Sequence, residues 1–216
     1  MNIKRKENRP MKIAVIGAGN VGAALAVALD RAGHQLFLGV RDPLAAKIKT
    51  IVQQNPRITA LGINDTVAQA DVIILAVPAD AVIDVIRQFG DVQEKIIIDA
   101  TNSLFSAPKP CKNAAEALTA LTNVKHFAKC FNSTGYENMQ NPGYGETAAD
   151  MFVAGDSVAA KKAAVALAKD IGFAECYDFG GFDKIPLLEQ LALVWINLAI
   201  VQKQGRSMAI KLLKRS

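Results

Sequence analysis

The chain has 216 residues, 51% of them hydrophobic, enough to bury a sizeable core as one domain or as a domain with a small appendage. Its net charge of +5 sits at the ends: residues 1–10 carry +3 and residues 203–216 carry +5, which leaves the body at −3. With that placement, no aromatic interleaving and no nucleic-acid motif, a nucleic-acid partner is not expected, and Cys111, Cys130 and Cys176 show neither metal-ligand nor redox spacing.

Residues 1–10 are expected to form a flexible basic leader. Residues 12–16 form a short run without turn signals, suited to a strand buried on both faces of a parallel sheet. The glycines of GAGNVG follow at once. Gly17 suits the sharp turn out of the strand, Gly19 has no side chain to hold a pyrophosphate off the backbone, and Gly22 lets the next helix pack closely on the sheet. A helix is expected from Asn20, with Val21 in its first turn, so that free N–H groups and a positive dipole end face a phosphate. Gly33 is placed to end it.

The second strand, 35–40, bears on the choice of cofactor. An NAD site commonly ends this strand with an acid that bonds the ribose hydroxyls, and here Val40 stands at that place with Arg41 next. The fork of Arg41 suits the 2′-phosphate of NADP, and Lys47 on the following helix adds charge. The alternative is a solvated Arg41, with Asp42 serving an NAD ribose.

Helices are expected at 45–54 and 65–69, with a turn at Gly62 between them, and a buried strand at 71–77 closed by Pro78. Ligands in such sheets lie beyond the carboxyl ends of the strands, so Ala76, Val77 and Pro78 should flank the cofactor. A helix at 79–89 and a strand at 95–99 lead to Thr101 and Asn102, which serve either the nicotinamide end of the cofactor or ordinary turn capping. Asn113 caps a helix through Leu121, and a strand at 124–130 runs into Asn132, Ser133 and Thr134, polar residues suited to orienting a substrate. Strands at 150–155 and 174–177 flank a helix at 158–169.

The last helix, 184–202, is apolar on nearly every side but is interrupted by Glu189, Gln190 and Asn197. Packing on the sheet and against a second subunit is expected, rather than a membrane span. With no signal peptide or spanning segment, a cytoplasmic setting follows. His34 falls in a turn and His126 within a strand, both read as structural. No Ser-His-Asp, paired-acid or metal constellation can be assembled, so no catalytic residue and no metal is assigned.

These readings amount to an α/β, Rossmann-type doubly wound and mainly parallel sheet with a small C-terminal extension ending in a hydrophobic helix. The expected division is a dinucleotide-binding domain at 11–130 and a smaller substrate and dimerisation portion at 131–216.

The succession AVIGAGNVG, LFLGVRD, DVIILAVP, IIIDATN, KCFNSTG and DMFVAGD, closed by the hydrophobic helix, resembles the F420-dependent NADP oxidoreductases over nearly the whole chain after residue 11. That resemblance implies a homodimer moving hydride between NADP and the deazaflavin coenzyme F420 in one cleft, with Arg41 on the 2′-phosphate. Val40 stands where the family often has a serine or threonine. Flavin-reducing domains of membrane metalloreductases look like distant relatives, so a flavin is a further acceptor. A non-catalytic NADP(H)-binding redox sensor or partner subunit is the alternative.

Overall fold

The structure, a computed structural model, describes residues 10–215; all of the expected leader but Pro10 lies outside the described residues. The chain opens with β1 (Lys12–Ile16), α1 (Asn20–Arg31), β2 (Gln35–Gly39), α2 (Ala46–Gln54), β3 (Ile58–Leu61), α3 (Ile63–Gln69) and β4 (Val72–Leu75). A 3-10 turn at Ala79–Ala81 leads into α4 (Val82–Ile86), followed by β5 (Ile96–Asp99), α5 (Ala114–Leu121) and β6 (His126–Cys130). Next come α6 (Tyr136–Gln140), a small hairpin of β7 (Gly143–Tyr144) and β8 (Thr147–Ala148), then β9 (Met151–Ala154), α7 (Val158–Ile171) and β10 (Cys176–Asp178). After a 3-10 turn at Phe182–Lys184, α8 (Ile185–Ile196) widens into a π turn at Asn197–Val201.

One eight-stranded sheet carries the fold, in the order β10-β9-β6-β5-β4-β1-β2-β3. All its pairings are parallel except β6 with β9. The doubly wound order runs from β3 to β6, and β9 and β10 extend the same sheet, so residues on either side of 130 share it. Alternate residues of each central strand enter different cores. Ile13 and Val15 pack with Leu25 and Leu29 of α1 and Leu167 of α7, while Ala14 and Ile16 pack with Val67 of α3, Val82 of α4 and Leu118 of α5. Burial on both faces is why these strands read as continuous apolar runs.

Several local expectations are revised by the packing. β3 was not foreseen: it is a four-residue edge strand with only Ile58 buried, too short to show a period. α6 and the small hairpin are equally short. The helix expected at 79–89 is a 3-10 turn and five α-helical residues, although Phe89 beyond them is still buried. Gly33 does end α1, at φ +97.

The histidines are structural. His34 Nδ1 accepts from Met11 N at 3.2 Å, which leaves Nε2–H to donate to Asp170 at 3.2 Å. His126 bonds Ser157, the residue capping α7.

Much of the positive charge at the C-terminal end is used inside the fold. Arg206 lies over the rings of Trp195 and Tyr136 and pairs with Glu137, while Lys211 pairs with Asp150 at 2.8 Å. Burial pushes the Glu137 carboxyl up, but the hydrogen bond and charge of Arg206 hold it below the ordinary range. The Met208 carbonyl accepts from Trp195 Nε1 and Asn138 Nδ2, both at 2.8 Å, so the tail is strapped across α6 and α8.

By length and composition Phe182–Val201 could cross a membrane. In the fold one face of α8 lies inside the protein: Ile185, Leu188, Ala192 and Trp195 are buried, as is Glu189.

Candidate functional site

The carboxyl ends of β2, β1, β4, β5 and β6 stand side by side along one edge of the sheet. At the end of β1 the chain turns through Gly17, at φ +103, where a Cβ would lie 2.4 Å from the Ala76 carbonyl oxygen. A Cβ on Gly22 would lie 1.9 Å from the Gly17 carbonyl oxygen, so α1 can approach the turn only with glycine there. Gly19 differs from both: a Cβ on it would meet nothing within 4 Å. The space in front of Gly19 is open, no side chain caps α1, and its first turn of Asn20, Val21 and Gly22 carries no acid. Backbone N–H groups with nothing to bond and a positive dipole end are the elements of an anion site.

Arg41 is exposed just past β2, and among the described residues it makes no ion pair. Asp42, the alternative ribose partner, accepts from Leu44 N at 2.9 Å with Oδ1 and so closes its own turn. Val40 is buried and belongs to the core. Lys47 is exposed on α2. Ala76 lies against Gly17, with Val77 and the exposed Pro78 following.

At the ends of β5 and β6 the polar residues interlock. Asn102 Nδ2 donates to the Asn132 carbonyl at 2.9 Å, and Asn132 Nδ2 donates to Asn102 Oδ1 at 3.0 Å and to the Leu188 carbonyl at 3.2 Å. Phe131 turns the chain into this rim at φ +66, a conformation that costs a bulky residue about 1–2 kcal/mol and is sustained by full burial. Three buried oxygens there have no partner: Thr101 Oγ1, Ser103 Oγ and Asn132 Oδ1. Thr101 and Asn132 are each 4% exposed. Buried polar atoms are rarely left unpaired, so each of these oxygens can still accept from a polar partner, water or ligand. Ser133 and Thr134 are engaged elsewhere, the first with Met151 Sδ and the second with Asn138 Nδ2 at 2.7 Å. Of the three residues expected to orient a substrate, Asn132 alone keeps a free acceptor at the rim.

Behind the rim lies an ion cluster whose Lys129 and Asp99 carry no role in the expectations drawn from the sequence. Lys129 Nζ is fully buried and bonds Asp99 Oδ2 and the Thr101 carbonyl, both at 2.7 Å, with Glu189 Oε1 at 3.0 Å. Asp99 Oδ1 accepts from Thr101 N at 2.8 Å, and Glu189 Oε1 from Ser103 N at 3.3 Å. The signal was available: a lysine within a buried strand, an acid ending an isoleucine run and an acid in an apolar helix each demand a partner.

Residues 12–103 match the family described as NADP oxidoreductase, coenzyme F420-dependent. The chain is 26% identical to an F420-dependent NADP reductase of Methanocaldococcus jannaschii, across 89% of this chain and 94% of that one. It is 27% identical to a protein of the same name from Methanothermobacter marburgensis, across 88% and 93%. A crystal structure from Arthrobacter sp. FB24, assigned as an F420-dependent NADP-reductase, superposes with a TM-score of 0.82 at 26% identity, covering 94% of this chain and all of that one. The resemblance read from the sequence is found, and it extends over most of the chain.

The glycines make separable predictions. Gly19→Ala, at φ −68 with open space ahead, should leave stability within about 0.5 kcal/mol while the added methyl weakens dinucleotide binding about ten-fold or more. Gly22→Ala should lower stability by about 1–3 kcal/mol as well, because its Cβ meets backbone. Thermal denaturation and a binding titration of both variants check the distinction.

Proposed function

We propose that this protein is an NADPH-dependent oxidoreductase that moves hydride between NADP(H) and a deazaflavin such as coenzyme F420, or a flavin-like acceptor, in one cleft. The observation that carries the reading is the carboxyl edge itself: an open glycine cradle at α1 and, two and three strands away, unpartnered buried oxygens on Thr101 and Ser103 and on Asn132. The likeness to F420-dependent NADP reductases across most of the chain supports it.

The bound nicotinamide supplies the hydride chemistry. The N–H groups around Gly19, Asn20 and Val21 hold the pyrophosphate, and the Arg41 fork meets the 2′-phosphate. Ala76, Val77 and Pro78 flank the cofactor along β4. Thr101 and Asn132 orient the carboxamide of the ring, with Asn102 fixing the Asn132 amide. No side chain need abstract a proton, because direct hydride transfer depends on placing two rings in contact.

A second copy of the chain covers the outer face of α8. Leu187 and Val194 are 56% and 53% exposed, and with the half-buried Leu191 and Leu198 they form a stripe at spacings of four, three and four residues. Val194→Asp places a charge in that stripe and should convert a dimer to a monomer in sedimentation; a native protein that is already monomeric contradicts the assignment.

The deciding experiment offers F420, FMN, FAD and riboflavin to the purified protein and follows NADPH absorbance. Turnover with one acceptor is expected, and Arg41→Ala should lose about 10–100-fold in NADPH affinity with NADH affinity unchanged. Tight NADPH binding without turnover would instead support a redox sensor.

A further inference from the structure

The buried cluster behind the rim does not balance. Lys129 brings one positive charge, donates to Asp99 Oδ2 and the Thr101 carbonyl, and pairs with Glu189 Oε1 at 3.0 Å. Two carboxylates face that single ammonium, and the side chains of Lys129, Asp99 and Glu189 are 0%, 0% and 8% exposed. Among the described residues no other cation pairs with either acid. Glu189 stands just past the first turn of α8, whose partial positive end of about half a charge offsets part of the surplus. A negative charge sealed from water is costly unless something else meets it.

The cluster is also in direct contact with the rim. Lys129 holds the Thr101 carbonyl, Asp99 holds the Thr101 N–H, Glu189 holds the Ser103 N–H, and Leu188 beside it holds the Asn132 side chain. These rim residues are the ones that carry the unpartnered oxygens.

We infer that the surplus carboxylate of this cluster makes the site discriminate between the two redox forms of the cofactor, favouring the positively charged ring of NADP+ over the neutral ring of NADPH, with Glu189 as the residue that sets the preference. This rests on the placement of the nicotinamide at the Thr101–Asn132 rim proposed above. A fixed charge acts more strongly through the protein interior than through water, which would screen it. Stabilising the oxidised form at the site makes bound NADPH a stronger hydride donor, so the cluster biases the protein toward reducing its acceptor. Glu189 touches neither ring in this account; it acts through the field at the rim.

The test is separate titration of NADP+ and NADPH into the native protein and into Glu189→Gln, by calorimetry. Glutamine keeps the size of the side chain and an acceptor oxygen for Lys129 and Ser103, and removes the charge while an NH2 takes the place of the second oxygen. The dissociation constant for NADP+ should rise about ten-fold while that for NADPH moves by less than about two-fold. Glu189→Asp, which keeps the charge, should retain the native ratio. A structural role for Glu189 would change both affinities together, and an unchanged ratio in the glutamine variant overturns the inference while leaving the NADPH reading intact. Native protein that binds neither form overturns that reading too. Should Glu189→Gln fail to fold, Asp99→Asn removes the same surplus from the other side of Lys129 and must shift the ratio in the same direction.

Discussion

A lysine ammonium with no exposure to water has to be met on every side, and in this protein the groups that meet it come from two other parts of the chain. Moving a charge out of water costs several kcal/mol even after relaxation, so Lys129 cannot be buried unless Asp99, the Thr101 carbonyl and Glu189 are all in place. That requirement ties the end of β5, the end of β6 and the first half of α8 to one point. The loop after β5 then inherits its position, since Thr101 N and Ser103 N donate to the same two carboxylates. Asn132 is held in turn by Asn102 and the Leu188 carbonyl, so the polar rim is set by an ion cluster that lies beneath it.

The other half of the site is made by backbone. Gly17 presses on the Ala76 carbonyl and Gly22 on the Gly17 carbonyl, which brings α1 down onto the sheet and leaves the space at Gly19 free. Side chains contribute little there apart from Arg41 at the outer end. A site built from fixed backbone at one end and a rigid polar rim at the other suits a reaction whose main demand is placement. It also explains why so few titratable groups are spent on it: both histidines serve the fold, and the buried Lys129 is enclosed.

The parallel sheet and the glycine turn were legible because their causes are local. A strand buried on both faces is an apolar run, and GAGNVG between such a run and an alanine-rich helix has few other uses. The edge strand Ile58–Leu61 was not legible, since it is held by pairing with β2 and buries little of its own surface. Ser133 and Thr134 were assigned to the rim from their place after β6, but the left-handed turn at Phe131 leads them to Met151 and Asn138 instead, a change of direction that no residue type announces. The ion cluster was half legible. Each of its members is a charge in apolar surroundings, yet which charge meets which depends on α8 crossing the ends of β5 and β6.

The most direct test of the account is a crystal structure of the protein with NADP+ bound. The pyrophosphate is expected within hydrogen-bond distance of the N–H groups around Gly19, Asn20 and Val21, the 2′-phosphate against Arg41, and the nicotinamide carboxamide on Thr101 or Asn132. A dinucleotide bound away from the carboxyl edge, or bound there with its nicotinamide ring turned away from Thr101 and Asn132, would contradict it.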